Sequence, residues 1–326
     1  MILPIFGILS EVIPIHARKP IFGYKAIAYS SLAICLVGLF VWVHHMFTSG
    51  TPPWMRMFFT ISTLIVAVPT GVKIFSWVAT LWGGKIRFTS GMLFAIGLLA
   101  MFVMGGLSGV TLGTVPFDVH VHDSYYVVAH FHYVLFGGSV FGLYAGIYHW
   151  FPKITGRMYN ETWGRVHFVL TLIGTNLTFL PMHQLGLQGM PRRIAMYDPR
   201  FESLNHICTY GSILLGLSVL PFLINMVWSW IYGPKAGDNP WGGLSLEWTT
   251  SSPPIIENWE VLPVVTEGPY DFGSKKTLGI RERFKLISTP SSKAKETGIP
   301  VSEADSSSLY SGSESISDSQ NPTKGN

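Results

Sequence analysis

The sequence predicts an all-α, polytopic transmembrane helix bundle of about six complete spans, preceded by a partial one at the N-terminus. Three observations predict it. Hydrophobic residues make up 48% of the 326 positions and charged residues only 12%, against about 25% charged in average proteins. The mean hydropathy is +0.36. The apolar residues fall into runs near the roughly 20 needed to cross a bilayer, with Lys and Arg gathered between the runs. The 11 Trp fit a protein whose rings also mark the membrane interfaces. Membrane lipid is therefore an expected partner. The net charge of +4 comes without a basic patch interleaved with aromatics, so no nucleic acid is expected. Cys35 and Cys208 both sit in apolar runs, which argues against a disulfide framework or a thiolate metal site. The apolar opening lacks the basic n-region of a cleavable signal peptide.

In chain order, residues 1–15 are apolar, contain Pro4 and Pro14, and are too short to span. They are expected to be the last half of a helix whose beginning is missing. A basic loop, His16 to Lys25, leads into a first full span at about Ala26 to Phe47. The second runs from about Met57 to Trp82, interrupted by Pro69 and Lys73. The third, Gly91 to Leu112, is rich in Gly and Met, and Gly105, Gly106 and Gly109 imply close packing. A loop with Asp118, His120, His122 and Asp123 precedes the fourth span, Tyr125 to Phe151. The fifth and sixth run from Val166 to Leu185 and from Ile207 to Tyr232. Residues 16–232 thus form the six-span core. Residues 233–272, with Trp, Pro and acidic residues in no periodic order, are expected to be an ordered extramembrane extension. Residues 273–326 are a Ser-rich tail that is not expected to fold.

Orientation follows from the basic residues of the short loops. Arg18, Lys19, Lys25, Lys85, Arg87, Lys153, Arg157 and Arg165 fall on one side, which is assigned to the cytoplasm. Arg192 and Arg193 fall on the other, against that bias, and so are expected to hold something anionic.

The chemistry centres on Val127-Val128-Ala129-His130-Phe131-His132-Tyr133. A helix turns about 100° per residue, so His130 and His132 leave the rod roughly 200° apart and cannot bind one metal. They can serve two separate iron or copper centres, one on each side. Trp42-Val43-His44-His45-Met46 supplies a neighbouring imidazole pair that can converge on one ion if the local turn is loosened, and imidazole suits copper, zinc or iron. The plainer alternative is a structural interfacial histidine. Thr70 and Lys73 share a helix face just after Pro69. A lysine so deep in a span is expected to face protein or water, as a proton-conducting group with Thr70 as its hydroxyl relay; the plainer alternative is snorkelling. His122 and Asp123 can bind a hard divalent ion, or Asp123 can simply cap the following helix. Arg192 and Arg193 offer guanidinium forks for carboxylates. Haem propionates are the anionic partner this pattern favours, and ion pairs with Asp198 or Glu202 are the plainer one.

Together these motifs closely resemble the C-terminal part of subunit I of the haem–copper terminal oxidases, the cytochrome c oxidases. The resemblance covers Met1 to about Phe272 and rests on Val41-Trp42-Val43-His44-His45-Met46-Phe47-Thr48, Pro69-Thr70-Gly71-Val72-Lys73, the run from His122 to Tyr133, and Gly189-Met190-Pro191-Arg192-Arg193. It implies that His44 and His45 are two ligands of the active-site copper. It makes His130 the ligand of a high-spin haem and His132 an axial ligand of a low-spin haem, both of haem A type. His122 and Asp123 match the magnesium positions, Arg192 and Arg193 the propionate pair, and Ser10, Thr70 and Lys73 the lysine proton-uptake pathway. The family reduces dioxygen to water and couples this to proton translocation. It implies oxidase subunits II and III as partners, with cytochrome c or a similar soluble donor.

The departures are equally informative. The family's twelve spans are represented by the last six and half of another. The third copper histidine, the second low-spin ligand and the acidic uptake residues belong to the missing N-terminal half of subunit I. The expectation is a partial or split subunit, inactive alone, of a bacterial cytoplasmic membrane or other energy-transducing membrane. A quinol oxidase is the alternative within the superfamily, although Asp123, Tyr125, Tyr126, Tyr133 and Pro191 fit the cytochrome c branch better. A metal-free proton-coupled transporter relaying through Lys73 and His130 is the alternative of a different class.

Overall fold

In the computed structural model the described residues are 2–260, 262–265, 268–270, 272 and 284–286. Met1 and nearly all of the expected tail at 273–326 lie outside them. Helix α1 is Ile2–Ala17, α2 Tyr24–Gly38, α3 Pro53–Leu81, α4 Ser90–Leu112, α5 Val115–Val121, α6 Tyr125–Val134, α7 Phe141–Thr155, α8 Glu161–Leu187 and α9 Glu202–Tyr232. A small antiparallel ribbon pairs Pro263–Val265 with Phe284–Leu286. Among the described residues five helical segments are long and apolar enough to cross a membrane: Pro53–Leu81, Ser90–Leu112, Tyr125–Thr155, Glu161–Leu187 and Pro199–Tyr232. The expected all-α polytopic bundle is the fold observed.

Two expectations about continuity are corrected. The span expected at Ala26–Phe47 is not one helix. Helix α2 stops at Gly38 and a separate 3-10 turn forms at Trp42–Met46. Gly38 and the following Phe40-Val41-Trp42-Val43 are weak helix formers, and a carbonyl in the break is satisfied sideways, by the Ser62 hydroxyl donating to Phe40 O at 2.6 Å. Conversely, α3 runs unbroken through Pro69 and Lys73. Packing in a membrane bundle tolerates the missing amide when neighbouring groups take up the freed backbone.

Helix α4 lies at the centre and packs against α6 and α7, while α8 packs along α9 and against α6, and α1 against α7. Small residues allow these approaches, as in membrane bundles generally. A Cβ on Gly105 would come within 2.9 Å of Val134, and one on Gly186 within 2.0 Å of the Tyr126 backbone nitrogen. Between α6 and α7 the turn widens to a π-helix at Leu135–Val140, with Gly137 and Gly138 buried.

The extension closes one end of the bundle. Trp241, Leu244 and Trp248 are buried. Lys153 of α7 is only 5% exposed and its ammonium donates to the carbonyls of Asp238 and Thr250 at 2.8 Å each and of Ser251 at 3.3 Å. Arg18 and Arg87 donate to the carbonyls of Gly242 and Trp241, and Arg157 to Gly233. Four basic residues expected on the cytoplasmic side thus meet at the end that the extension covers.

Candidate metal and haem centre

The 3-10 turn does what adjacent histidines need in order to cooperate. It brings His44 Nε2 and His45 Nε2 to 2.9 Å from each other, with ring centroids 4.1 Å apart. His44 Nδ1 is 3.0 Å from the Thr63 hydroxyl of α3, which leaves Nε2 directed at the shared point. A donor set of two imidazole nitrogens fits copper. Among the described residues no group of three His, Cys, Asp or Glu side chains could hold a metal.

His130 and His132 leave α6 on opposite sides. His130 faces α4, where its Nδ1–H donates to the Gly105 carbonyl at 2.9 Å and Ser108 Oγ lies 3.1 Å away. A Cβ on Gly109 would come within 2.7 Å of His130 Cε1, so a glycine is needed there for the ring to fit. His132 faces α8, stacked on Phe179 at 4.2 Å and 12°, with its Nδ1–H given to Val128 O at 2.8 Å. In both rings the bond at Nδ1 fixes the tautomer and leaves the Nε2 lone pair free, as metal-ligating imidazoles require.

His44, His45, His130 and Thr70 line a cavity of about 490 Å³, and His122, Asp123 and Arg192 line the same cavity. Gly71 and Gly106 also line it, and a Cβ at either would meet nothing within 4 Å. Side chains there would fill the space that a flat macrocycle needs, so the residues present fit a haem against His130. Arg192 pairs with Asp123 through Nη2 while its buried Nε has no hydrogen-bond partner. That is a guanidinium with donor capacity to spare for an anion. The pairs with Asp198 and Glu202 are not formed. Asp198 lies 3.9 Å from Arg200, and Glu202 lies 3.9 Å from His206. Arg193 is exposed, with its backbone in the left-handed region at φ 62°.

At the mouth of α6 the expected His122–Asp123 pair is split. His122 Nδ1 lies 2.7 Å from Asp118 Oδ2, one turn back on α5, while Asp123 turns to Arg192. Burial pushes the Asp118 carboxyl above the usual carboxylate range, and its hydrogen bond to His122 opposes that. Asp123 is not the cap of α6. It takes a left-handed φ of 56°, and the Ser124 hydroxyl accepts from Tyr126 N instead. The Asp118–His122 link was open to a search at helical spacing, being i, i+4, whereas the partners supplied by α4 were not.

The three proton-path residues are not hydrogen-bonded to one another. The Thr70 hydroxyl donates to Val66 O at 2.9 Å. Ser10 Oγ donates to Phe6 O at 2.8 Å and accepts from Trp77 Nε1 at 3.1 Å. Lys73, 1% exposed, reaches α2 instead.

The chain is similar to known proteins over most of its length. The model for cytochrome c and quinol oxidase polypeptide I matches residues 1–214. The cytochrome c oxidase subunit 1 of Thermostichus vulcanus is 82% identical over 276 residues, covering 85% of this chain and 50% of that protein. The subunit of the same name from Synechocystis sp. is 66% identical over 273 residues, covering 84% and 50%. That of Bacillus subtilis is 46% identical over 268 residues, covering 81% and 43%. The chain therefore spans about half the length of the curated relatives it matches. A solved heme-copper terminal oxidase dimer shares the fold, with a TM-score of 0.65 at 18% identity over 72% of this chain and 47% of that one. With two thirds of its length inside that model, the chain belongs to the cytochrome c and quinol oxidase polypeptide I family.

Proposed function

We propose that this chain is the C-terminal half of the catalytic subunit of a proton-translocating cytochrome c oxidase, which reduces dioxygen to water in a bacterial energy-transducing membrane. The observation that carries the proposal is the single cavity shared by the converging His44–His45 pair and by His130, whose Nδ1 is already tied to Gly105. His44 and His45 would hold copper, His130 the high-spin haem and His132 the low-spin haem, both haem A. When bound, these groups supply the electrons that dioxygen needs. The protein's own part is to direct imidazole lone pairs, keep the pocket apolar, and bring protons. Arg192, with its partnerless Nε, would anchor a propionate, and Arg193 a second. His122, oriented by Asp118, and Asp123 would bind magnesium beside Arg192. Lys73, Thr70 and Ser10 would carry protons from the cytoplasmic end, with Thr70 presenting the last hydroxyl to the cavity.

The N-terminal half of subunit I would complete the copper and low-spin sites, and subunits II and III would assemble on the bundle. Electrons would come from cytochrome c or a similar soluble donor, consistent with the names of the relatives. The test is His130→Ala in the assembled oxidase, read by optical spectroscopy of purified membranes. The high-spin haem signal should vanish while the low-spin signal stays. An unchanged spectrum would overturn the ligand assignment, whereas membranes without any haem spectrum would favour the metal-free transporter. Oxidation of a quinol in place of reduced cytochrome c would assign the chain to the quinol branch.

A further inference from the structure

Lys73 is a buried cation without a carboxylate partner among the described residues. Its ammonium donates to the Ile27 carbonyl at 2.9 Å and to Ser31 Oγ at 2.5 Å, and lies 5.5 Å from the centre of the Phe6 ring. The acceptors form a polar notch in α2. Ile27 O also receives the Ser30 hydroxyl at 2.8 Å and the Ser31 hydroxyl at 3.0 Å. Ser31 is thus polarised, giving its proton to Ile27 O and its lone pair to Lys73. Two neutral oxygens and an aromatic face all favour the ammonium at this position.

The notch lies off the cavity. Thr70, Gly71 and Ile74 of α3 line the cavity, but neither Lys73 nor Ser31 does. A lysine that delivers protons towards Thr70 must therefore leave two hydrogen bonds on α2 first. Nothing in the Lys73 motif points to Ser31, which lies 42 residues away on another helix.

We infer that Ser31 is a positioning residue for Lys73: with Ile27 O it holds the ammonium in a loading position on α2, from which the side chain departs towards Thr70. This rests on Lys73 being on the proton path. The test uses the assembled oxidase carrying Ser31→Ala, Ser31→Thr, Lys73→Met and the double variant Ser31→Ala/Lys73→Met. Rates of high-spin haem reduction are read in rapid-mixing experiments, with haem content as a control. Ser31→Ala leaves the ammonium a single acceptor in the loading position, so it is loaded and charged there a smaller share of the time, and this outweighs the easier departure: reduction should slow about fivefold or more. Ser31→Thr, which keeps the hydroxyl, should recover to within about twofold of the parent. Lys73→Met should be slower still, and adding Ser31→Ala to it should change nothing, because the two residues act as one unit. A parent-like rate in Ser31→Ala beside a slow Lys73→Met overturns the Ser31 role alone. So does equal slowing by Ser31→Ala in the Lys73→Met background, which a merely structural serine would give. A parent-like Lys73→Met overturns the proton-path reading and the Ser31 role with it.

Discussion

At the scale of single residues, four of the five imidazoles proposed as metal ligands have their second nitrogen committed to an oxygen. Gly105 O takes His130 Nδ1, Val128 O takes His132, Thr63 meets His44 and Asp118 meets His122. Such partners are worth about 10- to 100-fold in metal affinity. Asp118→Asn is accordingly expected to weaken binding of Mn²⁺, used as a paramagnetic probe in place of magnesium, by about tenfold in the assembled oxidase, as an EPR titration would show. Gly109→Ala should be more damaging than its size implies. The new methyl group would meet His130 Cε1 at 2.7 Å, and the ring cannot swing aside without giving up Gly105 O. The expected outcome is a shifted or lost high-spin haem band with the low-spin band retained. The opposed directions of His130 and His132 were legible from helical period alone. The oxygen partners of His130 and His44 were not, because Gly105 and Thr63 come from other helices and no local pattern encodes which turn of α4 or α3 faces them.

At the scale of elements, the sequence placed α3, α4, α8 and α9 to within a few residues, since long apolar runs bounded by polar loops leave little choice. It missed the break in the first span, where hydrophobicity continues from Leu39 to Val43 although the helix does not. Apolar character reports burial in lipid or protein, not backbone continuity. That break puts His44 and His45 on a tighter turn, so the feature invisible to hydropathy shapes the site. The approach of α8 to α6 is equally specific. Gly186→Ala would drive a methyl group into Tyr126 at 2.0 Å from its backbone nitrogen, and overpacking of this kind typically costs about 1–3 kcal/mol. A thermal melt of the detergent-solubilised complex should show the loss, with haem release at lower temperature than in the parent.

At the scale of the whole molecule, the charge bias of the loops and the packing tell the same story about ends. Arg18, Arg87, Lys153 and Arg157 all reach the extension, while Asp118, His122, Asp123 and Arg192 line the cavity together. Reporter fusions after Lys85 should behave as cytoplasmic and fusions after His120 as exported; the reverse pattern would invert the assigned orientation. The clasp was not legible in the sequence, because Lys153 lies about 90 residues from its acceptors and reads on its own as a loop cation. Lys153→Met should leave the carbonyls of Asp238, Thr250 and Ser251 without their common donor at a cost of about 1–3 kcal/mol. Limited proteolysis would detect it as faster cleavage within residues 233–260.

The widened turn at Leu135–Val140 has a consequence for how α6 and α7 share their work. A π-turn accommodates one residue more than the α-helical count, commonly at functional sites, and one residue is about 100° of rotation. It therefore acts as a phase shifter: the half that carries His130 and His132 and the half that carries Tyr148, His149 and Lys153 need not obey one continuous periodicity. Deleting a single residue there, such as Ser139, would restore an ordinary helix and leave the two halves out of step. Either the proposed haem ligands or the lysine clasp could then be aligned, but not both.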